Sequence, residues 1–371
     1  MLTILHTESS AGWGGQENRT LHECLGLKKL GDRVMILCKP GSKLSERAGA
    51  AGIEVLTHTM RGSYDMCAVW RIMDIIKKEN VDIVNTHSGV DSFLGAVAGR
   101  LSLKRPRIVR TRHLALPITS RASYALLPHR VVTVSQYVRS YLVKDKGIPA
   151  AKVTAIPTGI DLARFDPDKT PDTLRAGLGL KDGALIVGTV AILRRKKGHH
   201  VLLDAIPRVL AAVPEAVFVF AGNGPQRENI EARIQELGIE NSVRLLGLRS
   251  DVPSVIKGLD IFVLPTLQEA LGTSILEASA MGISVIATRV GGVPEAVIEG
   301  KTGILVEPQD SAGLADAIIR LLKDASLRKR MGKEGRRTAV ENYSTDTMSK
   351  RMRSLYEELM NLKKCGGGLC R

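Results

Sequence analysis

"DIFVLPTLQEALGTSILEASAMGISVIAT", residues 260 to 288, changes its period twice. An apolar run rich in β-branched residues, DIFVLP, gives way to a polar loop, then to ILEASAM at helical spacing, then to a second apolar run, SVIAT. Runs of that length and composition read as buried strands, and a helix between two of them makes the strands parallel. Gly272 interrupts any earlier helix, Thr273 or Ser274 is a natural N-cap, and Gly282 ends the helix.

The alternation extends in both directions. Strands are expected at residues 2–6, 33–38, 53–56, 82–87, 107–111 and 130–134, and again at 184–193, 216–222, 242–247, 260–265, 284–288 and 303–306, with amphipathic segments between them. Residues 157 to 183 break the rhythm with three prolines and read as an interdomain linker. After Ser311 three packing helices follow. The expected fold class is α/β, two doubly wound Rossmann-like domains facing a central cleft. The first spans residues 1–165 with a final helix at about 346–364, the second 166–345. In such sheets ligands sit beyond the carboxyl ends of the strands, so the loops there are where chemistry is sought.

The 371-residue chain exceeds the size at which single cores stop growing, in keeping with two domains. Neither a secretory leader nor a membrane span is legible, so a cytoplasmic protein is expected. Five scattered cysteines fit reduced thiols, and Cys365 and Cys370 in CGGGLC read as a solvated tail. Net charge is +15, and residues 1–165 hold 24 of the 53 lysines and arginines against 13 of the 38 acids. From Ser92 to Lys144 there is no acid, while ten basic residues fall in that window. Such a field suits a phosphorylated acceptor or an anionic membrane surface, or serves only as a solubilising face. Nucleic acid is disfavoured, because aromatics are 4% of the chain and do not interleave with the basic residues.

Three loops carry chemistry. ESSAGWGGQEN (8–18) offers Gly12, Gly14 and Gly15 before a helix starting near Gln16, an arrangement suited to a diphosphate or used only for shape. It is not the dinucleotide fingerprint, since Glu17 stands where the last glycine would be. AILRRKKGHH (191–200) sets four cations between a strand and a helix, either a solvated run or a clamp for a departing diphosphate. In the opening stretch Glu269 lies in the entering loop and Glu277 eight positions on. Ser274-x-x-Glu277 also has the spacing of a capping box. The alternative is that both carboxylates accept hydrogen bonds from hydroxyls of a polyol whose phosphates meet free N–H groups at Gly272 to Ile275.

PTLQEALGTSILEASAMGISVIATRVGGVPEAVIEGKTGILVEPQD (265–310) resembles the donor-site block of the retaining glycosyltransferases of family four, with Glu269 and Glu277 as its E-x7-E element. The resemblance runs through GGQENRTLHECLGLKKLGDRV, TRH, IPTGIDLARFDP, VAILRRKKGH and AGNGP to LRKRMGKEGR. It implies the two-domain GT-B fold, an acceptor-binding first domain and a last helix crossing back to it. It also implies a nucleotide-diphosphate sugar as co-substrate, with no cofactor and no metal. By residue, Glu269 would hold the moving sugar and Glu277 the ribose, with amides of Leu271, Gly272, Thr273 and Ser274 on the sugar and diphosphate. Gly14 and Gly15, Asn223 and Gly224 of AGNGP, and Arg249 join the donor set. His113 of TRH falls at the active-site histidine, with His87 a weaker candidate. Where the family often has G-R-L this chain has Ala191-Ile192-Leu193, which moves the arginine's role to Arg194 beside Lys197.

The implied reaction is sugar transfer with retention to a hydroxyl of a glycan or lipid-linked acceptor, as in polysaccharide or lipopolysaccharide assembly. Asp166-Pro167-Asp168 reads as a turn rather than a metal site. A related epimerase or phosphorylase would act without that acceptor, and a non-catalytic carbohydrate-binding subunit would bind donor without turnover.

Overall fold

The computed structural model describes residues 1–180 and 183–366, with side chains through residue 362. Beyond the backbone of Cys365 and Gly366, the CGGGLC tail lies outside the described residues. The chain divides into two units, Met1–Gly159 with Thr345–Arg371, and Ile160–Ser344.

The first unit holds seven strands: β1 (Thr3–Glu8), β2 (Arg33–Cys38), β3 (Glu54–Thr57), β4 (Ile83–Thr86), β5 (Arg107–Arg112), β6 (Arg130–Thr133) and β7 (Val153–Ala155). They form one sheet in the order β3-β2-β1-β4-β5-β6-β7, every pair parallel. Six were expected, and β7 is too short to show in the pattern. Both faces of the sheet are covered, as parallel pairing demands. Ile36 and Cys38 enter one apolar cluster while Met35 and Leu37 enter another on the opposite face.

The second unit repeats the plan with β8 (Leu185–Val190), β9 (Ala216–Ala221), β10 (Val243–Gly247), β11 (Ile261–Leu264), β12 (Ser284–Thr288) and β13 (Gly303–Val306). Their order is β10-β9-β8-β11-β12-β13, again all parallel. In each sheet the winding direction reverses once, between β1 and β4 and between β8 and β11. Those are the switch points at which open α/β sheets bind ligands.

The stretch expected to be a linker is mostly not one. From Ile160 onward it belongs to the second unit, and Ile160, Phe165 and Leu174 are buried in that unit's core. Its turn-like composition reflects local side-chain turns on that unit's surface, with Ile160, Phe165 and Leu174 turned inward. Asp161 accepts from the amides of Ala163 and Arg164, and Asp166 from that of Asp168.

Three helices close the chain, Ser311–Lys323, Ala325–Asn342 and Thr345–Gly366. The last belongs to the first unit and packs along the helix Gly15–Lys29. Met348, Met352, Leu355, Tyr356 and Leu359 complete one face of that unit's core. The Tyr356 hydroxyl and Asn85 Nδ2 both donate to Glu23, whose carboxyl is fully buried. Arg19 lies beside it and donates to the Ile156 carbonyl.

Gly26 is what lets these two helices approach. A Cβ there would fall 1.9 Å from Ser349 Oγ and 2.7 Å from Ser349 Cβ. Gly26→Ala is expected to lower stability by about 1–3 kcal/mol, with Ser349→Gly in the same chain restoring part of the loss; thermal melts of the single and double variants check this.

Candidate active site

In the second unit the loops after β8, β11 and β12 close on one another through their backbones. Leu267 N donates to the Lys196 carbonyl at 2.7 Å and Thr266 Oγ1 to the same oxygen at 2.9 Å. Gly198, at φ 71°, has no room for a side chain, since a Cβ would lie 1.8 Å from the Pro265 oxygen. A Cβ on Gly291 would lie 2.0 Å from the Glu269 carbonyl oxygen, and Gly292 N donates to that oxygen at 3.2 Å. The partly buried side chains of Lys197 and Glu269 are thereby brought together as an ion pair. Glu269 also accepts from the amide of Ala270. Asn223 and Gly224 support the basic loop from behind, Leu193 N donating to the Asn223 carbonyl and Gln226 N to the Leu193 carbonyl.

The helix Thr273–Ala280 follows, and its start differs from expectation. Its N-cap is Gly272 at φ 94°, with no side-chain cap. Thr273 and Ser274 are therefore the first two helical residues and Glu277 is the fifth, so the Ser274–Glu277 capping box does not form. Gly272 takes the cap position because a Cβ there would meet Ile275 at 2.7 Å and a left-handed φ suits glycine. The uncapped N-terminus leaves amides of the first turn as an anion site next to Glu269. Leu271 is buried in the core, which leaves its backbone as the part available to a ligand. Glu277 is half-buried, and loss of hydration raises its pKa to about 7, against a smaller downward pull from Arg164.

Other sequence candidates are not drawn in. Arg194 is exposed at the head of the basic loop and lines a pocket with His199, His200 and Arg233 that includes neither Lys197 nor Glu269. Arg249 is exposed and held by Asp251 in a two-pronged ion pair at 2.6 and 2.8 Å.

The first unit builds a polar centre at its own switch point. The helix Gly15–Lys29 begins as expected, with Gly14 extended at its N-cap and no side-chain cap. His6 Nδ1 lies 2.9 Å from His87 Nε2, and His87 Nδ1 lies 3.0 Å from His113 Nε2. His6 sits on β1, His87 just after β4 and His113 just after β5, so parallel pairing sets all three at the same end of the sheet. Burial holds His87 and His113 well below the ordinary imidazole pKa, and His6 at about 3, so the row is neutral at pH 7. Among the described residues His6 Nε2 is buried without a partner. A lone pair is cheaper to leave there than an N–H. His6 and His87 therefore donate from Nδ1, and His113, accepting at Nε2, carries its proton on Nδ1.

Beside the histidines, Glu8 accepts from Ser10 N, Gln16 and Ser88, and Asp91 from Thr7, Ser9 and the His87 amide. Burial and the neighbouring Asp91 raise the Glu8 pKa. His6, Glu8, Asp91, Gly291 and Gly292 were not singled out from sequence. The signal for the first two was present, since a buried strand ending His-Thr-Glu is polar where burial favours apolar residues.

Two measurements follow from these environments. An acid whose pKa is raised on folding contributes stability at low pH that is lost as pH climbs from its ordinary 4.5 towards about 7. Glu277→Gln is thus expected to match wild type in thermal melts near pH 4 and to exceed it by up to ~3 kcal/mol at pH 8. In long-range proton–nitrogen NMR, His113 should show the neutral Nδ1–H tautomer at pH 7; an Nε2–H signal there reverses the direction of the row.

The first unit and the second match known families in turn. The family model described as "Glycosyltransferase Family 4" covers residues 13–164, and that described as "Glycosyl transferases group 1" covers residues 171–338. The chain is 30% identical over 339 residues, 85% of its length and 87% of the relative's, to the GDP-mannose-dependent alpha-(1-6)-phosphatidylinositol monomannoside mannosyltransferase of Mycolicibacterium smegmatis. It is 26% identical over 97% of both chains to the UDP-Gal:alpha-D-GlcNAc-diphosphoundecaprenol alpha-1,3-galactosyltransferase of Escherichia coli. A crystal structure of a glycosyltransferase from Rickettsia africae superimposes with a TM-score of 0.89 at 25% identity, covering 97% of this chain and 98% of that one. The chain therefore belongs to the family-four glycosyltransferases, and its two Rossmann-like units are those of the GT-B fold.

Proposed function

We propose that the protein is a retaining glycosyltransferase that moves a sugar from a nucleoside-diphosphate donor to a hydroxyl of a glycan or lipid-linked acceptor in cell-surface polysaccharide assembly. The observation that carries this reading is the meeting of Lys197, Glu269 and the uncapped helix start at Gly272–Ser274 on one switch point. A donor diphosphate has its charge met there by the Lys197 ammonium and the helix amides, and its sugar hydroxyls by Glu269. Binding then separates the Lys197–Glu269 pair, each partner exchanging the other for the donor. Glu277 accepts the ribose hydroxyls, and its high pKa falls as those hydrogen bonds form.

In the step itself the bond from the anomeric carbon to the diphosphate oxygen breaks, its electron pair leaving with the diphosphate. The acceptor oxygen bonds to that carbon on the same face, and its proton passes to the departing phosphate. No protein nucleophile enters, and Glu269 orients the sugar. Neither a metal nor a cofactor has a part in this reading; Lys197 and the helix amides meet the charge. The neutral His113, with its proton on Nδ1, is a hydrogen-bond donor to an oxygen of donor or acceptor. The two curated relatives are named for UDP and GDP sugars, so both donors are tried.

The reading sets the protein in the cytoplasm, at the inner face of the membrane, with its basic first unit towards anionic lipid. Among the described residues no helix is long and apolar enough to cross a membrane. Flotation with anionic vesicles at low salt, abolished at high salt, is the expected behaviour. Lys197→Ala and Glu269→Ala should each slow transfer from the accepted nucleotide sugar by about tenfold to a thousandfold, with circular dichroism unchanged. Wild-type rates in both remove the assignment.

A further inference from the structure

A cavity of about 70 Å³ opens beside the histidine row of the first unit, and no carboxylate lines it. Its wall includes Arg110, Arg112, His113, Ser88 and Tyr124. Arg110 is 8% exposed, its guanidinium lying 3.6 Å above the Tyr124 ring and donating to the Ser123 carbonyl and hydroxyl. Arg112 donates to the carbonyls of Leu114 and Leu116. Neither arginine has an ion pair among the described residues, and the neighbouring imidazoles are neutral. Two guanidinium groups thus share a small space that no carboxylate lines, the buried Asp91 acting on Arg110 without an ion pair. Among the described residues the Tyr124 hydroxyl has no hydrogen-bond partner, and it is sealed from the cavity as it is from solvent. A buried guanidinium without an ion pair, beside a second one, marks a place for an anion.

We propose that this cavity binds a phosphate group carried by the acceptor, held by Arg112 and Arg110. The choice of phosphate over carboxylate follows from charge and shape. Two cations match a doubly charged group, and donors from several directions match a tetrahedral one. The acceptor role rests on the glycosyltransferase reading above; the anion site itself does not. A phosphate in this position would hold the acceptor next to His113, so that the hydroxyl to be glycosylated is presented at the end of the sheet where the histidine row ends.

The full-length protein is titrated with methyl phosphate and followed by phosphorus NMR. Arg112→Gln is expected to weaken binding about tenfold or more. Tyr124→Phe, which removes only a sealed and unpartnered hydroxyl, should leave it unchanged without lowering the melting temperature. Lys144→Gln, an exposed charge in the same acid-free window, should leave it unchanged. Equal weakening by Lys144→Gln and Arg112→Gln, or unchanged affinity in Arg112→Gln, overturns the proposal, as does loss of binding in Lys197→Ala alone. Hydrolysis of a nucleotide sugar by a wild-type protein that does not bind methyl phosphate overturns it while leaving the transferase reading standing. Binding that depends on Arg112, without turnover of any nucleotide sugar, supports the site and removes the transferase reading. Phosphatidylglycerol vesicles decide the source. Flotation lost in Arg112→Gln together with methyl phosphate binding assigns the phosphate to a lipid headgroup. Methyl phosphate binding without flotation assigns it to a soluble phosphorylated acceptor.

Discussion

Everything in the second unit's site depends on backbone touching backbone where a side chain would forbid it. Gly198 lies against the Pro265 carbonyl, Gly291 against that of Glu269, and Gly222 against that of Ala191. Each contact locks one strand-end loop to the next. The charged side chains are therefore carried by a nearly continuous hydrogen-bonded frame rather than by free loops. Rigid placement holds the opposite charges of Lys197 and Glu269 close enough to pair.

The first unit solves a different electrostatic problem. It buries histidines and carboxylates at the end of its central strands, yet limits the charge there. Desolvation neutralises the imidazoles, and burial, with a smaller push from Asp91, drives Glu8 towards its protonated form. The positive charge stands just outside, on Arg110 and Arg112. A hydrogen-bonding floor thus lies under a cationic wall.

How much of this was legible followed from physical scale. Twelve strands were readable because each is an apolar run long enough to cross a buried sheet; Val153–Ala155 is three residues and leaves no pattern. The linker was misread because Asp161 and Asp166 make the same local turns in a packed segment as in an exposed one, while the burial of Ile160 and Phe165 is a tertiary fact. At the second unit's site, Glu269 and Lys197 could be paired on paper only through family resemblance, since 72 residues separate them. The start of the helix at Thr273 was missed because two adjacent hydroxyl residues imitate a cap, and only the left-handed backbone of Gly272 reveals which residue holds that place. His6 carried no motif, and its link to His113 exists only once β1, β4 and β5 are aligned.

The return of the last helix makes the first unit discontinuous, its core closed by residues on both sides of the second unit. Tyr356 meets Glu23 and Asn85 across more than 270 residues of chain. On the ribosome, the sequence up to Gly159 emerges lacking one wall of its core, and the whole second unit is made before that wall arrives. The second unit, continuous from Ile160 to Ser344, has all its own contacts first. The order of synthesis and the order of folding are thus reversed, with the amino-terminal unit the last to be sealed. Any chain cut short before Leu355 leaves it with apolar surface and a buried carboxyl open to water.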